Sequence, residues 1–422
     1  MSDTTHAQPH PLPASDRAFA FLLGLHGLAF MVVFPFGPQA TRLWHPGLTG
    51  IATLAASFPL AAVLGGLAAR RATRLPASPR TLAALAGLAT LPALFSVGYG
   101  SLVSARLLGG FATGVSYVAL HRAAPAAPSA PGLAAIAPRV IAFGMPLCLL
   151  AATAFDWRAA FVPLLLGQSA IWLFAPRQKE NSPDAPALTT REALHEPAPA
   201  ALVATAALAF VSGAYLTVLS GFLVFDAGQT EWHIPACLLA GAMMGLGVSP
   251  ALAGLRVRLA PARVYAVSLA VSAVVLVALL ALRSPLPAMI CVPLIGAFLA
   301  TNSARHLALS FLVRPRLAAA SLAAHQTHTH LAHHLGSGLG ALGAGLIIGT
   351  TSQPASAFAG METLLAVGLA ATALALAAGV SAAQPSAWPA ACAAAAKSPF
   401  RVAASVVRFV RTSTTRSPGA PT

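Results

Sequence analysis

Long apolar stretches, separated by short linkers with arginine and lysine gathered in every second one, restrict this chain to helices crossing a lipid bilayer. A hydrocarbon core of about 30 Å is crossed by roughly 20 apolar residues in a helix. Spans of that kind run over 17–36, 48–69, 80–98, 101–121, 133–154 and 158–175. After a polar break they continue over 200–222, 235–255, 263–282, 286–308, 320–348 and 362–381. The expected fold class is an all-α membrane protein of 12 transmembrane helices. Composition agrees: 8% of the residues are charged, where a soluble domain has roughly 25%. A soluble chain so poor in charge could not cover its own surface.

Orientation follows from the basic residues. With the N-terminus in the cytoplasm, 20 of the 25 lysines and arginines lie on that side, Arg70, Arg71, Arg74, Arg80 and Arg122 among them. Arg42, Arg158 and Arg283 fall outside, and Arg106 and Arg305 fall within spans. A missed helix would invert every later linker, so the regular alternation supports the count. Both termini are expected in the cytoplasm of a cell whose inner membrane holds the chain. The polar stretch 176–199 divides the spans into two groups of six. The organisation expected is a cytoplasmic tail 1–16, a helical bundle 17–175, a central cytoplasmic loop 176–199, a second bundle 200–382 and a basic cytoplasmic tail 383–422. That last tail is partly amphipathic, with Phe400, Val406 and Phe409 against Arg401, Arg408 and Arg411; it either lies on the anionic leaflet or stays disordered.

The net charge of +15 is scattered through the linkers rather than gathered in a patch, which argues against a nucleic-acid partner. The four cysteines form no CxxC pair and no disulfide framework. The first 16 residues are polar and proline-rich, unlike a cleaved signal peptide, so insertion is expected to rely on the first span.

Several local motifs fall in an order that is itself informative. After the second span comes Gly65-Gly66-Leu67-Ala68-Ala69-Arg70-Arg71-Ala72-Thr73-Arg74; the fourth carries Arg106-Leu107-Leu108-Gly109-Gly110, with Gly114 beyond. Between the fifth and sixth spans is Asp156-Trp157-Arg158-Ala159-Ala160-Phe161, and Pro250 to Gly254, followed by Arg256 and Arg258, loosely echoes the first motif. This set, over six plus six spans, resembles the major facilitator superfamily of transporters, nearest its efflux branches. The resemblance implies two six-helix pseudo-repeat bundles rocking about a midplane site, with spans one, four, seven and ten lining the cavity. It marks Gly65, Arg70 and Arg74 as a gating motif. Ala69 and Ala72 stand where the family carries an aspartate and a glycine, which puts the family's cytoplasmic latch in doubt. In the fifth span Gly144-Met145-Pro146 replaces the antiporters' fuller glycine-proline stretch, so the antiporter assignment stays open. Resemblance gives a transport class and leaves the solute open.

Ionisable residues within spans are costly and face a cavity or a partner. Arg106 reads either as a cavity-lining cation or as a structural arginine packed on a neighbouring helix. Arg305, with Asn302 and His306 in the tenth span, is its counterpart if the halves are repeats, or a residue that snorkels to the cytoplasmic end. His26 in the first span is a further substrate candidate, and Gln39 and Tyr215 could add hydrogen bonds.

The most unusual stretch is His325-Gln326-Thr327-His328-Thr329-His330-Leu331-Ala332-His333-His334. At about 100° per residue these histidines cannot share one face. His330 and His334 are expected to act in proton coupling or a polar relay. His325, His328, His330, His333 and His334 are also weak candidates for a copper-like or zinc ion. A wet vestibule end is the plainer reading. The run contains a His-x-x-His-His resembling that of di-iron membrane desaturases and hydroxylases, yet the other histidines form no second box, and an oxidase is disfavoured. By these boundaries no acid falls mid-span, which suits neutral or anionic solutes better than organic cations. The sequence thus points to a monomeric secondary transporter of a small organic solute. Export is favoured, proton coupling is optional, and neither enzyme activity nor a cofactor is expected. A transition-metal transporter and a receptor or assembly factor are the rivals.

Overall fold

Prolines, serines and arginines decide where the helices of this chain begin and end. The computed structural model describes residues 14–34, 37–45, 47–72, 78–123, 136–176, 198–221 and 319–349, with isolated positions such as Leu75 and Trp232. Among the described residues every regular element is helical. The first five are α1 (Ala14–Met31), α2 (Gly37–Trp44), α3 (Gly47–Arg71), α4 (Pro79–Leu94) and α5 (Tyr99–Ala123). Then come α6 (Ile136–Ala154), a 3-10 turn (Trp157–Phe161), α7 (Val162–Phe174), α8 (Ala198–Gly221) and α9 (Ala319–Gly349).

Ser78 caps α4, its Oγ accepting the Thr81 N–H at 3.4 Å, and Pro79 fills the first position, where no N–H is needed. α1 stops at Met31, short of the apolar span that ends at 36, because Pro35 has no N–H for the next turn. Left-handed φ values at His45 (48°) and Gly47 (66°) turn the chain from α2 into α3. Pro59, Pro92 and Pro146 lie inside α3, α4 and α6, as membrane helices tolerate when neighbours cover the freed carbonyls.

Four described helices are long and apolar enough to cross a bilayer: Thr49–Arg71, Tyr99–Ala123, Trp157–Phe174 and Ala200–Thr217. Their outward faces carry exposed Leu64, Leu107, Leu166 and Trp172, as a lipid-facing surface does. On their inner faces Leu54, Leu102 and Leu164 form a core with Leu22 and Leu28 of α1 and Leu82 of α4, all fully buried. α9, at 31 residues, is about 46 Å long at 1.5 Å per residue and outruns a straight crossing.

The two ends of the packed helices α2–α7 are distinct. At one end Trp44 meets Trp157 at 5.1 Å and Tyr99 at 6.1 Å between ring centroids, and Tyr99 donates to the Gly50 carbonyl at 2.7 Å. Here Arg158 donates to the Ser96 carbonyl and pairs with Asp156, each at 2.7 Å. At the other end Arg122 donates to the carbonyls of Ala72 (2.9 Å) and Arg70 (3.2 Å), while Arg80 donates to those of Leu173 (3.0 Å) and Ala175. Each arginine thereby covers the last carbonyls of a neighbouring helix, where unsatisfied acceptors carry partial negative charge. In a chain with 25 basic and 10 acidic residues, helix ends serve as counter-ions.

Candidate functional site

α5 is the element around which the polar residues gather. Arg106, Thr113, Tyr117 and His121 follow one another at seven- and four-residue steps, so they share one stripe of the helix. Beside that stripe Gly110 and Gly114 let α3 approach to backbone contact. A Cβ on Gly110 would land on the Phe58 carbonyl oxygen, and one on Gly114 would strike the Ala62 oxygen and the Gly66 nitrogen. Gly65 of α3 meets the Phe111 carbonyl of α5 in the same crossing. The glycines of the first motif and of the fourth span therefore build one tight joint.

Arg106 is 3% exposed. Its two terminal nitrogens fork onto the last turn of α1, donating to the Ala29 carbonyl and, at 3.1 Å, to the Phe30 carbonyl. The guanidinium also lies 4.4 Å over the Phe58 ring, a cation–π contact. Its Nε finds no acceptor among the described residues. The arginine thus holds the end of α1, and one donor is left over.

His26 of α1 lies fully buried with Nδ1 3.3 Å from Thr113 Oγ1, and its ring meets Tyr117 edge-on at 5.5 Å. From the other side α9 lays its histidines against α5 and α1. His330 stacks on Tyr117 at 4.4 Å and 8°, and on His121 at 4.9 Å and 21°. His334 approaches Tyr117 at 5.3 Å and Phe30 at 5.5 Å, and His333 stands 6.1 Å from Phe30. Gln326 faces His121. α9 is brought this close by glycine as well: a Cβ on Gly336 or Gly340 would meet the carbonyls of Ala206 or Phe210 in α8, and one on Gly66 would meet the Leu331 side chain.

Many polar atoms along this seam are buried without a hydrogen-bond partner among the described residues. They include His26 Nε2, both ring nitrogens of His334, Ser116 Oγ, Thr327 Oγ1 and Ser337 Oγ. Such groups carry a desolvation cost until water or a ligand reaches them. Among the described residues the acids are Asp16, at the start of α1, and Asp156, beside the 3-10 turn. No carboxylate enters the seam from them.

The structure therefore gathers His26, His330 and His334 around Tyr117, and places Arg106 farther along α5, over the Phe58 ring that also faces His334. Arg305, His306 and Arg74 lie outside the described residues. Of the gating motif, Gly65 sits in the α3–α5 joint and the Arg70 carbonyl is held by Arg122. Gln39 falls on the short α2, and Tyr215 is buried on α8. Among the described residues no three His, Cys, Asp or Glu side chains come together as ligands for a metal ion. The histidine run explains why: His328 donates from Nδ1 to its own helix at the Ala324 carbonyl, His325 is bridged by Thr329, and His330 is stacked ring on ring. Tyr117, His121, Thr113 and Phe58 were not singled out as site residues from the sequence. For Thr113, Tyr117 and His121 the available signal was their spacing from Arg106 along one helical stripe; Phe58, on α3, offered none.

No protein-family profile matches this sequence, and no curated protein does either. Among solved structures, the crystal structure of a variant of the nucleoside transporter NupG aligns with a TM-score of 0.56 and 12% identity. The likeness covers 87% of this chain and 98% of that one. At such identity it is the fold that is shared. The chain is a helical protein with four described helices long and apolar enough to cross a membrane, and it shares the fold of the nucleoside transporter NupG.

Proposed function

We propose that this chain is a secondary active transporter that moves a small organic solute across the inner membrane by alternating access. It works as a monomer of 12 helices in two bundles, 17–175 and 200–382, joined by the cytoplasmic loop 176–199. Both termini are cytoplasmic, and export is the favoured direction. The solute is neutral or anionic, and the histidines of α9 are the groups available for proton coupling, His330 and His334 first.

One observation carries this reading: in the buried seam between α1, α5 and α9, particular atoms, among them His26 Nε2, both ring nitrogens of His334 and Thr327 Oγ1, have no hydrogen-bond partner among the described residues. A seam that stays dry gains nothing from such groups, whereas one that opens to water and solute satisfies them. The basic Arg106 and the absence of described carboxylates there disfavour organic cations. Arg305 and His306, with their place in the second bundle, complete the expected substrate contacts.

Flux in proteoliposomes tests it. Counterflow of neutral and anionic organic solutes is expected, with lipophilic cations ignored and flux lost in His334→Ala. Movement of lipophilic cations alone would reverse the charge assignment. Reporter fusions that place the termini on opposite faces would remove the two-bundle arrangement.

A further inference from the structure

The parallel stack of His330 on Tyr117 and His121 stands out among the ring contacts, most of which are tilted or edge-on. Tyr117 and His121 stand one turn apart on α5, both buried, on a helix fixed by backbone contact with α3. The ring laid against them belongs to α9, on the other side of the seam, and is only half-buried. We propose that Tyr117 and His121 form a slot for a planar, π-bonded ring in the transported solute. His330 occupies that slot in the present state as an internal stand-in. This rests on the transport reading of the same seam and deepens it to a solute class.

Three features support the assignment. Two ring faces held by one rigid helix recognise flatness before they recognise any particular atom, because stacking rewards a π ring over a saturated one. Polar atoms stand where the edge of such a guest would reach: His26 Nε2, close to Tyr117, and both nitrogens of His334, whose ring is 5.3 Å from that of Tyr117. Finally, the occupant comes from the second bundle. Any motion that draws α9 from α5 empties the slot as it admits solute, and return of His330 pushes the guest out. Binding and release are thereby tied to the same helix movement.

Binding of benzamide and of cyclohexanecarboxamide to the purified full chain in nanodiscs tests the slot, since the two differ in ring flatness and share the polar group. His330→Ala should bind benzamide roughly tenfold more tightly than the parent chain, the size expected from freeing two stacking contacts. Its affinity for cyclohexanecarboxamide should stay unchanged. Adding Tyr117→Leu should abolish the preference; His121→Ala is the second variant if that one melts early, and it should weaken it. Equal gains for both compounds in His330→Ala, or no saturable benzamide binding, would overturn the proposal. Proteoliposome flux separates the two readings: flux indifferent to ring flatness removes the slot and keeps the transporter. Ring-selective binding without flux of any solute keeps the slot and removes the transporter.

Discussion

Two neighbouring strips of α5 solve opposite problems. Toward α3, Gly110 and Gly114 bring backbone onto backbone, so at these two positions the helices meet without an intervening side chain. Toward α9 the same helix presents Tyr117 and His121 to histidine rings, in a seam where several buried polar atoms lack partners among the described residues. The first joint is built to stay closed. The second has the chemistry of a surface that meets water part of the time. The proposed two-bundle transporter needs one of each: fixed crossings that keep a bundle rigid, and a polar face that parts.

The largest effect should come from the fixed joint. Gly114→Val forces a side chain into the Ala62 carbonyl and the Gly66 nitrogen, and overpacking of that kind costs about 1–3 kcal/mol or more. Loss of folded protein, or a markedly lower melting temperature in detergent, is expected. Gly98→Val, where an added Cβ meets nothing within 4 Å, should melt within about 0.5 kcal/mol of the parent. Equal melting of the two variants would break the contrast between a closed joint and open space.

Arg106 comes next. Arg106→Met leaves the Ala29 and Phe30 carbonyls at the end of α1 without their donors, which should cost about 1–3 kcal/mol. Arg106→Lys should recover only part of it, because an ammonium cannot fork onto two carbonyls as a guanidinium does. Full recovery by lysine in a thermal melt would show that charge, not the fork, is what counts.

The smallest change in stability sharpens the comparison most. His334→Phe keeps the ring among Phe30, Phe58 and Tyr117 while deleting two nitrogens that have no described partner. Folding should be unchanged or improved by up to about 1 kcal/mol, while flux in proteoliposomes disappears. A drop in melting temperature would mean that the nitrogens are satisfied in the resting protein, and the seam would lose its claim to open.

Much of the fold was legible in the sequence because lipid leaves few options. The apolar span over 48–69 became Gly47–Arg71, and the long eleventh span, 320–348, became Ala319–Gly349. The polar residues were harder to read. Arg106 was visible as an anomaly, yet its fork onto α1 depends on where α1 stops, and Pro35 sets that point by geometry rather than by hydropathy. Ala69, in place of an aspartate, raised the question of what secures the end of α3. The answer, Arg122 donating to the Arg70 and Ala72 carbonyls, uses backbone acceptors that no motif records. The histidine run drew attention to α9, while the rings it meets, Tyr117 and His121, are ordinary residues whose partnership exists only once two distant segments pack together.

The most direct measurement of the central claim is water access to Thr327, which is fully buried on α9 with a hydroxyl that has no partner among the described residues. A Thr327→Cys chain lacking Cys237, Cys291 and Cys392 retains Cys148, fully buried in α6, as its internal reference. With a small polar thiol reagent in membranes, position 327 should label readily while Cys148 stays protected. Equal protection of both thiols in a chain that still carries solute would contradict a seam that parts between α5 and α9.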